Sequence, residues 1–126
     1  MAYSLGTRSK QNLSGVHPDL VAVVERAIQI TKQDFVVIEG VRNIDRQRQL
    51  VKSGASKTMN SRHLTGHAVD LCPYPVDWND HEKFIVISEA MKEAAKELDI
   101  PIEWGGDWKN GWDKPHYQLP HKEYPK

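Results

Sequence analysis

The sequence predicts an α+β fold, with helices packed on a small, mostly antiparallel sheet. Three observations carry this reading. Two segments, 18–31 and 84–98, repeat apolar residues at helical spacing. Short β-branched or aromatic runs are interleaved with them, beginning with Phe35-Val36-Val37-Ile38. These runs are brief, and glycine, proline and other turn residues close them.

Taken in order, residues 1–16 are polar and expected to be irregular. Pro18 opens a helix at its first position, and Asp19 in the first turn complements the positive helix end. Leu20, Val24, Ala27 and Ile28 form its inward stripe, which runs to about Thr31. Phe35–Ile38 reads as a buried strand ended by Gly40. Asn43 is placed to cap a short helix through Leu50, closed by Gly54. Residues 53–62 form a polar loop. Ala68-Val69-Asp70-Leu71 reads as a strand after a turn at Gly66, broken by Pro73 and Pro75. Asp77 or Asn79 is placed to cap a long helix to about Leu98. Its inward face carries Phe84, Ile87, Ser88, Met91, Ala94, Ala95 and Leu98. Pro101–Trp104 and His116–Leu119 complete the set as two further short strands.

At 126 residues the chain is expected to form one domain, 1–126, large enough for a core without staples. Lysine plus arginine and aspartate plus glutamate each total 17, so no net charge remains. That excludes a bulk electrostatic hold on nucleic acid or on an anionic membrane. The single cysteine, Cys72, excludes an internal disulfide. The first ten residues lack the apolar core of a secretory signal. No run approaches the ~20 apolar residues of a membrane span. The expectation is a monomer made in a reducing cytoplasm, with no signal peptide and no stable membrane association.

Chemistry concentrates in two pieces. Ser61-Arg62-His63-Leu64-Thr65-Gly66-His67-Ala68-Val69-Asp70 supplies a histidine and a carboxylate seven positions apart across a glycine turn. Asp113-Lys114-Pro115-His116 supplies another histidine, three residues after a carboxylate. Side chains alternate faces along a strand, so Asp70 shares its face with Ala68 and Cys72, opposite Val69 and Leu71. His63 precedes the turn and is free to fold back toward Asp70. His67, if it begins the strand, points away from Asp70. Gly66 argues against a helical His-x-x-x-His pair. His63, Asp70 and His116 are therefore the candidate metal ligands. Two imidazoles and one carboxylate leave the fourth position of a tetrahedral zinc open for water. A spare carboxylate beside that water can move its proton. Asp113 is a candidate for that task, and the longer Glu103 is its rival. A thiolate ligand at Cys72 is the alternative to a small packing residue there.

These residues resemble a known pattern. Ser61-x-His63-x-x-Gly66-x-Ala68-x-Asp70 resembles the zinc signature of the metallopeptidases that include D-alanyl-D-alanine carboxypeptidases, dipeptidases and phage L-alanyl-D-glutamate endopeptidases. Asp113-x-x-His116 is similar to the family's second signature. Trp104-Gly105-Gly106-Asp107-Trp108 and Pro115-His116-Tyr117-Gln118 match the endopeptidase branch, as does the opening Ser9-x-x-x-Leu13-x-Gly15-Val16-His17-Pro18. Gly40-Val41-Arg42 followed by Gln47 resembles an upstream Arg-Gln motif. Together the likeness spans roughly residues 4 to 120.

The resemblance implies a carboxypeptidase- or hedgehog-like α+β fold and one zinc ion per chain. It also implies Asp113 as the general base. Arg42 then grips a substrate carboxylate or polarises the scissile carbonyl, as a planar, always charged guanidinium can. Gln47 supports Arg42 or the substrate. Ser61 contacts the substrate or orients His63, and Asp107 is a candidate to orient His63 or His116. The implied activity is cleavage of the L-Ala–D-Glu bond of the peptidoglycan stem peptide by an endolysin without a separate wall-binding domain. Such an enzyme leaves the host cytoplasm for the periplasmic peptidoglycan on lysis. The alternatives are a D,D-carboxypeptidase or dipeptidase acting on D-Ala-D-Ala, and a non-catalytic, zinc-stabilised wall-binding module.

Overall fold

The computed structural model describes residues 3–56, 59, 61–108, 111 and 113–125. Eight elements follow the order α1 (Thr7–Asn12), α2 (Pro18–Ile30), β1 (Phe35–Glu39), α3 (Ile44–Lys52), β2 (Ala68–Pro73), α4 (His81–Leu98), β3 (Glu103–Trp104) and β4 (His116–Gln118). Single 3-10 turns occupy Arg62–Thr65 and Gly105–Asp107. The strands form one antiparallel sheet in the order β1-β2-β4-β3. The predicted α+β class is therefore the observed one.

The core lies between the sheet and the packed pair α2 and α4. Leu20, Val23, Val24 and Ala27 of α2 meet Ile87, Met91 and Ala94 of α4, with Val69 and Leu71 of β2 beneath. Alternation along β2 turns Val69 and Leu71 toward this core and leaves Asp70 on the other face. Leu98 departs from the expected stripe. It ends α4 and is 41% exposed, beside Asp99 in a left-handed cap.

Local signals place most helix ends. Pro18 stands at the start of α2, and the His17 ring accepts from the Asp19 amide as its cap. Asn43 caps α3 through the Arg46 amide. The cap of α4 is Asp80 rather than Asp77 or Asn79. Asp77 instead closes a turn on the Asn79 amide, which delays the helix by a few residues.

The opening segment is the main correction. Residues 7–12 are helical, not irregular. Strand β1 lies at the sheet edge, where its outer backbone groups lack a strand partner. Helix α1 supplies side chains instead: Ser9 Oγ accepts from Val37 N at 3.0 Å, and Asn12 Nδ2 donates to Val37 O at 2.8 Å. Polar residues dock this helix, so apolar periodicity does not reveal it.

Gly40 allows that docking. A Cβ there would lie 1.9 Å from the Asn12 carbonyl oxygen and 2.8 Å from Val16 Cγ2. Overpacking of this kind typically costs about 1–3 kcal/mol. Gly40→Ala is therefore expected to lower the thermal midpoint clearly, as read by circular dichroism. An unchanged midpoint would show that α1 does not pack on β1 in this way.

Candidate active site

Strand register assembles the site. Asp70 of β2 stands opposite Glu39 of β1 and His116 of β4. Residues directly opposite in an antiparallel pair bring their side chains within reach. His63 arrives from the preceding 3-10 turn. Ser61 Oγ caps that turn on the His63 amide, and Gly66 ends it at a φ of 75°. A side chain at Gly66 would meet Gly15 O at 2.7 Å, so glycine is required there for space as well as for φ.

The result is a tight cluster. His63 Nε2 lies 3.2 Å from Asp70 Oδ1, and His116 Nδ1 lies 3.4 Å from the same oxygen. One donor atom from each of the three residues falls within 4.8 Å of the others. Among the described residues this is the one group of histidines, cysteines and acids so arranged. His63 and His116 are buried, with Asp70 partly open to a cavity of about 550 Å³. The His63 Nδ1–H is directed at the Gly40 carbonyl at 2.9 Å, which leaves Nε2 facing Asp70. His116 Nε2 meets Gln118 Oε1 at 2.7 Å, which leaves Nδ1 facing Asp70. Two imidazole nitrogens that donate to Asp70 when protonated and offer lone pairs when not, with a carboxylate oxygen, turn to one point and suit a divalent cation.

The remaining candidates divide. Asp113 lines the cavity with Oδ2 3.9 Å from His116 Nδ1. Glu103 is absent from the lining and holds the Gln118 amide at 3.1 Å. Arg42 lines the cavity, but its fork is already engaged. Nε and Nη2 donate to the two Glu39 oxygens at 2.7 and 2.8 Å, and Nη1 donates to Gln47 Oε1 at 2.7 Å. Nη2 also stands 3.9 Å from Asp70 Oδ2. Gln47 is fully buried and supports Arg42 from behind, bonding onward to Ser56 Oγ. Ser61 lines the cavity and steadies the His63 backbone rather than its ring.

One expectation changes and two hold: Asp107 is overturned, while His67 and Cys72 stay outside the cluster as a residue facing away and a packing residue should. Asp107 orients neither histidine, because it pairs with Lys92 at 2.8 Å on the surface. His67 turns to Thr65 Oγ1 at 2.6 Å and to the His17 ring, away from the cluster. Cys72 packs in the interior on Asp70's strand but outside the donor group, and burial pushes its thiol pKa up.

The Trp-Gly-Gly-Asp-Trp segment proves to be scaffolding for the Asp113 loop. Trp104 Nε1 donates to Lys114 O at 2.7 Å while its ring stacks on Tyr117. A Cβ on Gly105 would lie 2.1 Å from the Asp113 carbonyl oxygen, so only glycine admits the loop so close. Trp108 lies against the His116 ring at 5.2 Å and lines the cavity. The sequence clusters Trp104, Trp108 and Trp112 within nine residues, as core or as the floor of a groove; Trp112 lies outside the described residues. Sequence reasoning missed Gln118, Glu39 and His121 as cavity residues. Gln118 was findable, since it follows His116 by two and shares its strand face.

Comparisons with known proteins place the chain in a family. A family model described as phage L-alanyl-D-glutamate peptidase matches residues 1–121. The chain belongs to that family. The L-alanyl-D-glutamate peptidase of Escherichia phage T5 is 34% identical over 119 residues, which cover 90% of this chain and 87% of that one. A protein of the same name from Listeria phage A118 is 31% identical, and the match spans 94% of this chain but 43% of that longer one. The crystal structure of Serratia marcescens L-Ala D-Glu endopeptidase ChiX superposes with a TM-score of 0.90 at 46% identity, covering 95% of this chain and 92% of that one.

Charge in the metal-free cluster sets its pH response. Burial raises the Asp70 pKa, but hydrogen bonds from His116 and His63 outweigh it and hold the carboxyl far below its usual range. Burial lowers the His116 pKa, yet the bond to Asp70 and the charges of Asp70 and Asp113 carry it above its usual value. The depressed carboxyl adds stability above about pH 4 and loses it in acid. The raised imidazole adds stability below about pH 6.5 and loses it as pH climbs through its folded pKa. Asp113, raised chiefly by burial, acts in the same direction as the imidazole. Burial lowers the His67 pKa, which acts the other way, so in excess chelator and in a His67→Gln background the protein is expected to melt lower at about pH 8.5 than at about pH 5.5. An equal or higher midpoint at the alkaline pH would count against the pairing.

Proposed function

We propose that this chain is a zinc-dependent endopeptidase that hydrolyses the L-Ala–D-Glu bond of the peptidoglycan stem peptide, acting as an endolysin. The observation that carries the reading is the convergence of His63, Asp70 and His116 at a cavity that also holds Asp113. The donor set of two imidazole nitrogens and one carboxylate suits that ion. Family membership supports the bond class, since the relatives are named for it.

Zinc held by His63, Asp70 and His116 supplies Lewis acidity, which polarises a peptide carbonyl and acidifies water. Asp113 accepts the proton of the attacking water and returns it to the departing amine. Burial favours the protonated carboxyl, which helps it to hold that proton between the two transfers. Its loop is held by Trp104 and by the close approach at Gly105, so the carboxylate stays beside the donors. Arg42, locked by Glu39 and Gln47, presents a fixed positive charge to the substrate with little loss of side-chain freedom. Ser61 lies on the same wall, within reach of the bound peptide.

The substrate is a wall peptide, met when lysis admits the enzyme from the host cytoplasm. Among the described residues no helix is long and apolar enough to cross a membrane. The chain has no net charge to draw it to nucleic acid. It acts as a monomer. A wall-binding module without turnover has no use for a carboxylate at position 113.

Asp113→Asn is expected to keep the fold and metal affinity while losing about 10²–10⁴-fold in kcat. An active Asp113→Asn enzyme beside an inactive Glu103→Gln one would exchange the two roles. The scissile bond is read by mass spectrometry of products from purified sacculi. Stem peptides beginning with D-Glu are expected. Free D-alanine, or the D-Ala-D-Ala dipeptide, would instead identify a carboxypeptidase or dipeptidase.

A further inference from the structure

A row of side chains leads from His116 outward to the sheet edge. Strands β3 and β4 pair so that Glu103 stands opposite Gln118. Gln118 Nε2 donates to Glu103 Oε1 at 3.1 Å, and Gln118 Oε1 lies 2.7 Å from His116 Nε2. Chemistry dictates the direction of this row. An ionised carboxylate only accepts, so Glu103 draws the amide NH₂ toward itself. The amide oxygen is then turned to His116, and an amide oxygen also only accepts. His116 Nε2 must therefore carry a proton, which frees the Nδ1 lone pair on the side of Asp70.

We propose that Glu103 and Gln118 are positioning residues: together they fix His116 with its proton on Nε2 and its Nδ1 turned to the Asp70 cluster. That this serves a metal rests on the function proposed above; the direction of the row does not. Glu103 is exposed, while Gln118 and His116 are buried. Gln118 Oε1 is the acceptor that the structure gives His116 Nε2. His63 has its counterpart in the Gly40 carbonyl, a backbone group whose direction no side-chain change reverses. His116 is thus the ligand whose orientation depends on side chains, and a surface carboxylate sets it. The same geometry accounts for Glu103 without a proton-transfer role, since its carboxylate is turned to Gln118 and does not line the cavity.

The test reverses the row. Glu103→Lys replaces an acceptor with a donor, so the Gln118 oxygen turns outward and its NH₂ faces His116 Nε2. Adding Gln118→Glu restores an acceptor for both neighbours. The deciding readout is the imidazole Nε2–H of His116, followed by nitrogen-15 NMR in protein stripped of metal with chelator. A slowly exchanging Nε2–H is expected in the wild type and in the double variant, and is expected to be lost in Glu103→Lys. Zinc affinity by chelator competition should fall about 10-fold or more in Glu103→Lys and recover in the double variant. A protected Nε2–H that persists in Glu103→Lys, or is missing in the wild type, would overturn the proposal. A wild type that shows the protected proton and takes up no zinc would uphold the row and overturn the metal reading instead.

Discussion

The structure of this site depends on one carboxylate. Asp70 faces two imidazoles through a single oxygen, with the Arg42 guanidinium near the other. A buried carboxylate is costly unless it is paired, and here His63, His116 and Arg42 lie close enough to offset the nearby carboxylates of Glu39 and Asp113. The same focus of negative charge makes the cluster suited to a divalent cation. Its position follows from pairing alone. Asp70 sits on an interior strand, opposite Glu39 on one side and His116 on the other. A one-residue slip of either pairing would turn its partner to the wrong face.

Around that pairing the chain spends much of its irregular structure on holding loops still. The Gly105 approach and the Trp104 bond hold the Asp113 loop. The Arg42 amide donates to the His63 carbonyl at 2.9 Å, tying the loop after β1 to the turn that bears His63. The His17 amide donates to the Gly66 carbonyl at 2.8 Å, tying the start of α2 to the same turn. Catalytic geometry tolerates little misplacement, and fixed backbone bonds are a direct means of limiting it. The apolar core under α2 and α4 lies on the other face of the sheet, so the site can be polar without weakening it.

Much of this was legible beforehand because its signals are local. Pro18, Asn43 and Gly66 act within their own turns, and each does so as expected. The facing of Asp70 followed from strand alternation, and the folding back of His63 from the glycine turn. What escaped notice acts at long range. Helix α1 exists because Ser9 and Asn12 complete an edge strand some 25 to 28 residues away. Asp107 looked like a ligand support until Lys92 of α4 proved to hold it. Arg42 looked like an open cation until Glu39, three residues earlier, proved to occupy its fork.

The sequence by itself determined the fold class, the donor types and the family. These rest on periodicity, on residue chemistry and on short spacings, all of which a linear chain displays. Only the tertiary structure decided which carboxylate stands beside the histidines. Asp113 and Glu103 are nearly equivalent in sequence, one before His116 and one on the preceding strand. Pairing of β3 with β4 turns Glu103 onto Gln118, while the tight loop at Gly105 keeps Asp113 in the cavity. That choice depends on which backbones approach each other, and in the sequence only the likeness to a family signature favoured Asp113.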